Sequence, residues 1–160
     1  MAELVPISKT GFEKLKEELD KLEKERVRVA KDVAEARKQG DLKENGAYIY
    51  GRQQLGFIDG RLGELKASIN YSQIIDCTKV GCDKAVFGTV VKLLDLDTQK
   101  HVTYQLLGPM DSDIDEGSIS IHSPVGDAVL GLSKGDKGSV TIPRGEFNFE
   151  IIEISKSEIE

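Results

Sequence analysis

Hydrophobic positions in the first seventy residues recur three and four apart, and they do so in two separate runs. The first comprises Phe12, Leu15, Leu19, Leu22, Arg26, Val29, Val33 and Ala36, with one charged residue inside an apolar series. The second comprises Tyr48, Gly51, Leu55, Ile58, Leu62, Leu65 and Ile69. This alternation is the a-and-d pattern of a coiled-coil seam. Folding the chain back between residues 40 and 41 sets the runs in register. Phe12 then faces Ile69, Leu15 faces Leu65, Leu19 faces Leu62 and Leu22 faces Ile58. Arg26 faces Leu55, Val29 faces Gly51 and Val33 faces Tyr48. The pattern predicts an antiparallel helical hairpin whose first helix runs from about Thr10 to Gln39, with Ser8 or Thr10 as its N-cap. At 1.5 Å per residue that helix is roughly 45 Å long, a thin rod.

Turn chemistry agrees with the fold-back. Gly40 suits the left-handed position that closes a helix. Asp41 suits the N-cap of the next helix, with Glu44 three residues on as in a capping box. The second helix carries Gly46, Gly51, Gly56, Gly60 and Gly63, each costing about 1 kcal/mol relative to alanine if it lies mid-helix. Gly51 falls on the seam, where a small residue permits close approach; periodicity gives no reason for the other four. Arg26, at a core position, is expected to fix register by pairing.

From Ile74 the period changes from helical to alternating. Ala85–Leu94 and Val102–Leu107 read as strands joined by a hairpin turn at Asp95-Leu96-Asp97-Thr98. Gly108–Gly117 is acidic and turn-rich, and Ser118–Ile121 is a short strand. Ser123 as N-cap and Pro124 at the first helical position open a short helix that Gly131 ends. Lys137–Ile142 and Phe147–Ile154 alternate again around Pro143-Arg144-Gly145. The expected fold is α+β: a helical hairpin over residues 1–75, then an antiparallel sheet of four or five strands with one short helix over 76–160.

Charge sharpens that division. The net charge of −6 over 160 residues is unevenly placed. Residues 1–75 carry 14 Lys and Arg against 13 Asp and Glu, whereas residues 76–160 carry 8 against 15. Halves so different suggest different partners, and neither has the strongly basic face of a general duplex binder. With 39% hydrophobic and 31% charged residues and no run of eighteen apolar ones, no membrane-spanning helix is expected. The N-terminus shows no signal-peptide pattern, so the cytoplasm is the expected location. Cys77 and Cys82 fit neither a C-x-x-C redox motif nor a zinc site, and read as two reduced structural thiols. His101 and His122 have no partner apparent in the sequence.

The acids of the tip admit two readings. Asp41 and Glu44 lie on one side of a turn, within reach of one cation. Magnesium is commonly held by one or two carboxylates together with water and substrate phosphates. Two acids are too few for a metal site of their own but enough to complete one that another molecule half supplies, where a metal ion can activate water. Asp-x-x-Glu after Gly is equally what a capped helix looks like, and spacing alone favours the cap. Likewise Arg37 and Arg52, with Lys38 and Lys43, could clamp a phosphate backbone, or Arg37 and Arg52 could form interhelical ion pairs at e positions.

Residues 35–48, EARKQGDLKENGAY, closely resemble the tip motif of the bacterial GreA/GreB transcript cleavage factors, with the GreA branch the better match. The similarity extends to Gly11-Phe12-Glu13-Lys14-Leu15, to Ile119-Ser120-Ile121-His122-Ser123-Pro124 and to Pro143-Arg144-Gly145-Glu146, and so covers essentially the whole chain. The resemblance implies a coiled coil that enters the secondary channel of RNA polymerase. It implies that Asp41 and Glu44 help hold a catalytic Mg2+ in the polymerase active centre, so that backtracked RNA is cut endonucleolytically. Arg37 and Arg52 match the basic patch that meets the extruded RNA 3′ end. Ser123 and Pro124 match the loop by which an FKBP-like domain docks on the polymerase rim. On this reading the chain is a monomeric accessory factor and not itself an enzyme. Three positions depart from the family pattern: Ala47 replaces a common acid, and His122 and Asp127 stand in the docking region where Asp or Asn, and Lys or Arg, are more usual.

Three other classes of function compete. A prolyl isomerase on a spacer would need an aromatic pocket, for which only Phe87, Tyr104, Phe147 and Phe149 are available. A channel-plugging inhibitor would not need Asp41 and Glu44. A plain coiled-coil scaffold would make those acids dispensable.

Overall fold

The computed structural model describes residues 4–39 and 45–157. Two compact units emerge: Glu13–Tyr71 form one, and Met1–Phe12 with Ser72–Glu160 form the other. The first contains most of a 29-residue helix α1 (Lys9–Arg37) and helix α2 (Gly46–Asn70). Ser8 is the cap of α1, because its Oγ accepts a hydrogen bond from the Gly11 amide at 3.0 Å. Helix α2 is capped by Asn45, not by Asp41 as spacing suggested: Asn45 Oδ1 accepts from the Tyr48 amide at 3.2 Å. The same side chain donates through Nδ2 to the Ala36 carbonyl at 2.6 Å, tying the last turn of α1 to the first of α2. With the helix beginning at Gly46, that glycine sits at the first helical position and carries no mid-helix cost.

The seam is built from buried Val29, Ile58 and Leu62, with Leu19, Leu22, Val33 and Leu55 packed against them. Its register differs from the tight fold-back at two places. Gly51 lies against Val33 rather than Val29: a Cβ there would come within 2.5 Å of Val33 Cγ2. Arg26 is not in the core opposite Leu55 but exposed, its Nε donating to Asp59 Oδ1 at 2.5 Å. Both partners stand four residues, one turn, from the expected ones. The helix bounds agree with the direction of the shift, for α1 ends at Arg37 and α2 begins at Gly46, so the point midway between them lies beyond the fold-back between residues 40 and 41. Arg61 makes a second cross-helix pair, to both oxygens of Glu18.

In the other unit, residues ahead of the first helix, for which the periodic pattern predicts no element, form a strand. β1 (Val5–Ser8) pairs in parallel with β2 (Ser72–Ile75), and Ile7 is fully buried. One carboxylate anchors this strand: Asp111 accepts from the Ser8 amide and from the Gly108 amide, both at 2.8 Å. A five-stranded sheet follows, composed of β3 (Thr89–Asp95), β4 (His101–Leu107), β5 (Ser118–Ser120), β6 (Lys137–Ile142) and β7 (Gly145–Lys156), in the order β5-β4-β3-β7-β6. It is mixed rather than wholly antiparallel, because β5 runs parallel to β4. The long acidic connection after β4 contains a single 3-10 turn, Ile114–Glu116, and a left-handed Gly117; it returns the chain to the sheet edge in the starting direction. β3 begins four residues later than the run from Ala85 suggests, because Gly88 has φ +92° and the Thr89 hydroxyl closes a turn on the Val86 carbonyl. The short helix α3 (Pro124–Val129) packs on β5 and β6. Val91, Leu93, Leu106, Val129, Phe149 and Ile151 form the centre of the core, all at 1% exposure or less.

Candidate functional site

The ends of the two helices build a groove. Its floor is Ala30, Val33 and Ala34 of α1; its walls are Arg37 and Lys38 from the end of α1 and Tyr48 and Arg52 from the start of α2, around a volume of about 410 Å3. Heptad geometry explains the convergence. Val33 packs on the seam, and Arg37 follows Val33, as Arg52 follows Tyr48, four residues on and one turn along its helix. Arg52 is held in place: its Nη1 donates to the Tyr48 hydroxyl at 2.9 Å and its guanidinium lies 5.8 Å from the ring centroid. Among the described residues neither Arg37 nor Arg52 makes an ion pair, so the interhelical pairing open to them from sequence is not what they do with those partners. Three cations stand over an apolar floor with no acid among the groove's lining residues, a charge and shape suited to an anion, beside an aromatic ring of the kind on which bases stack.

Asp41 and Glu44, with Gly40 and Lys43, lie outside the described residues. What the structure does give is the frame on either side of them. Asn45 holds the helix start and the end of α1 together, so the capping of α2 that competed for Asp41 is already performed. Among the described residues no group of three His, Cys, Asp or Glu could hold a metal ion.

Ser123 and Pro124 belong to the other unit. Ser123 Oγ accepts from the Gly126 amide at 3.1 Å and donates to the Ser120 carbonyl at 2.5 Å, so its hydroxyl is spent on the fold. Pro124, in the first turn of α3, is exposed, as is His122. Of the four aromatic residues that an isomerase pocket would need, Phe149 is buried in the main core and Phe87 in a small cluster with Cys77 and Leu107. Sequence reasoning missed two residues of this region: Asn45 as the cap, and Tyr48 as a groove residue rather than a seam residue. The first was readable from an Asn three positions before Tyr48, a spacing masked by the stronger-looking Asp-x-x-Glu.

Two family models cover nearly the whole chain: the N-terminal domain of transcription elongation factors over residues 5–74, and the GreA/GreB C-terminal domain over residues 80–156. The chain belongs to the GreA/GreB family. Among relatives, the transcription elongation factor GreA of Desulfotalea psychrophila is 45% identical over 159 residues, covering 99% of each chain. GreA of Thermodesulfovibrio yellowstonii is 43% identical, with 97% of this chain and 99% of the relative covered. Among solved structures, GreA factor homolog 1 of Thermus thermophilus is 24% identical over 96% of this chain and 99% of its own, with a TM-score of 0.45. The basic groove lies within the N-terminal family domain, and Ser123 and Pro124 within the C-terminal one.

Proposed function

We propose that this GreA/GreB-family chain is a transcript cleavage factor that works inside RNA polymerase, as a monomer in the cytoplasm. The observation that supports it best is the groove of Arg37, Lys38, Tyr48 and Arg52 on the helix pair, whose residues flank Asp41 and Glu44 in the sequence. The helix pair enters the secondary channel, where the groove receives the displaced 3′ end of backtracked RNA. The guanidiniums of Arg37 and Arg52 meet phosphate oxygens, and the Tyr48 ring lies against a base. Held on both sides, the RNA presents a phosphodiester for cleavage.

Asp41 and Glu44 would hold a Mg2+ jointly with polymerase. Their donor set suits it, being carboxylate oxygens only, and Asn45 relieves them of the helix cap. Bound there, the ion would lower the pKa of water and stabilise charge on a phosphodiester under attack. Two acids cannot retain the ion without the polymerase, which is why the chain is read as an accessory factor and not an enzyme on its own. Pro124, exposed at the start of α3, docks on the polymerase rim, with Ser123 shaping that loop from within.

The test is RNA shortening in stalled, backtracked elongation complexes. Arg37→Ala and Arg52→Ala are expected to slow cleavage by about tenfold or more each, a loss typical of one charge-assisted contact. Polymerase binding should change little. Cleavage unaffected by both substitutions would remove the groove from the mechanism.

A further inference from the structure

A second cavity, in the sheet-bearing unit, is not used by any part of this reading. It has a volume of about 440 Å3 and lies between α3 and the end of the sheet where β3 turns into β4 and β6 into β7. Its apolar lining is Val102, Tyr104, Val125, Ile142 and Phe147, all but Phe147 only partly buried, although they pack on the main core. Its rim carries Lys100, His101 and Arg144. Asp95 also lines the cavity, so the charges of Lys100 and Arg144 stand there against one carboxylate, on the acidic half of the molecule.

Arg144 is placed with care. Its guanidinium sits 5.4 Å from the Phe147 ring centroid, and its Nη2 is 3.5 Å from Asp95 Oδ2. Asp95 is itself held in place, since its Oδ1 accepts from the Asp97 amide at 3.0 Å and the Thr98 amide at 3.2 Å while its Oδ2 faces Arg144. A guanidinium has five N–H donors, so several remain for an incoming acceptor, and the ring and the carboxylate have already fixed its orientation. Lys100 makes no ion pair among the described residues. The volume falls in the range of small-molecule sites, where an apolar lining and a few convergent polar groups set specificity.

We propose that this cavity binds small organic anions having an aromatic or aliphatic body and one carboxylate. The body lies on Tyr104, Val125 and Ile142. The carboxylate receives Arg144 in a two-pronged contact, with Lys100 as the second charge. Asp95 acts as the residue that positions Arg144.

The probe is 2-naphthoate, compared with the neutral 2-naphthalenemethanol, titrated into the full chain while amide NMR signals are followed. Saturable shifts are expected for the amides of residues 98–104 and 144–147, with naphthoate binding about tenfold more tightly than the alcohol, the value of one charged contact. Arg144→Gln should remove that preference while leaving the alcohol's affinity and the rest of the spectrum unchanged. Should Arg144→Gln disturb the fold, Lys100→Gln serves instead and should weaken naphthoate alone by a smaller factor. Absence of saturable shifts, shifts that map elsewhere, or equal binding of acid and alcohol would overturn the proposal. Transcript cleavage plays no part in this readout.

Discussion

Gly51 and Gly60 sit in the same helix yet should respond oppositely to alanine. At Gly51 a Cβ would meet the stiff, β-branched Val33, whereas at Gly56, Gly60 and Gly63 nothing lies within 4 Å. Overpacking costs about 1–3 kcal/mol, more than the roughly 1 kcal/mol that helix propensity returns. Gly51→Ala should therefore lower the urea midpoint, and Gly60→Ala should raise stability by up to about 1 kcal/mol. In a Val33→Ala background the penalty at Gly51 should vanish; an unchanged penalty would show that the contact is not its cause. The periodic pattern marked Gly51 as a seam residue but gave Val29 as its partner where the structure has Val33, because periodicity does not report where the chain reverses. Asp95 and Asp76 contribute to the acid limb of stability. For Asp95, burial opposes the charge most strongly, but hydrogen bonds from Asp97 and Thr98 and the nearby Arg144 together hold the carboxyl below its usual value. For Asp76 the Thr78 hydroxyl leads the same downward shift. A depressed folded pKa gives a contribution that is complete above the unfolded value of about 3.9 and is lost as pH falls through the folded one. Asp76→Asn with Asp95→Asn should thus flatten the fall in urea midpoint below about pH 4. Cys77 is buried, and desolvation, with help from the Asp111 and Asp76 charges, raises its pKa to about 11. Iodoacetamide at mildly alkaline pH should label the more accessible Cys82 and leave Cys77 intact; equal labelling would contradict its burial.

Elements differed in how plainly they could be read, and the difference follows their length. The long helices repeat their signal over many turns, and α3 announces itself through Ser123, Pro124 and Gly131. β6 matches its alternating run from Lys137 to Ile142. By contrast β1 and β2 have four residues each, too short for a period, and Pro6 argues locally against a strand; only the pairing of one with the other and Asp111 beneath make them one. The direction of β5 is invisible for a related reason, since three residues alternate identically whichever way they run. Capping is the energetic hinge of α3. Ser123→Ala loses both hydroxyl bonds and should cost about 1 kcal/mol, seen as a lower urea midpoint. Pro124→Ala keeps those bonds and should cost less. If Ser123→Ala also weakens polymerase binding, the loss should track the α3 distortion rather than a direct contact, because the hydroxyl already faces Ser120 and Gly126.

At the scale of the molecule, the sequence divides its labour between a helix pair that carries a basic groove and a sheet-bearing unit with its own cavity. No described helix is long and apolar enough to cross a membrane. Arg37, Lys38 and Arg52 were legible as a candidate phosphate clamp, but Tyr48 and the apolar floor were not, because their convergence requires both helix ends and the Tyr48–Arg52 bond. The acids were legible as a motif with two readings, and Asn45 has taken over one of them. The central claim is that Asp41 and Glu44 serve cleavage and not the fold. The measurement that reaches it most directly is release of short 3′ RNA fragments from backtracked elongation complexes in magnesium, comparing the natural chain with Asp41→Asn/Glu44→Gln at matched polymerase occupancy. The account predicts rapid cleavage by the natural chain, its loss in the double variant, and an unchanged urea midpoint. Equal cleavage by both proteins would contradict it.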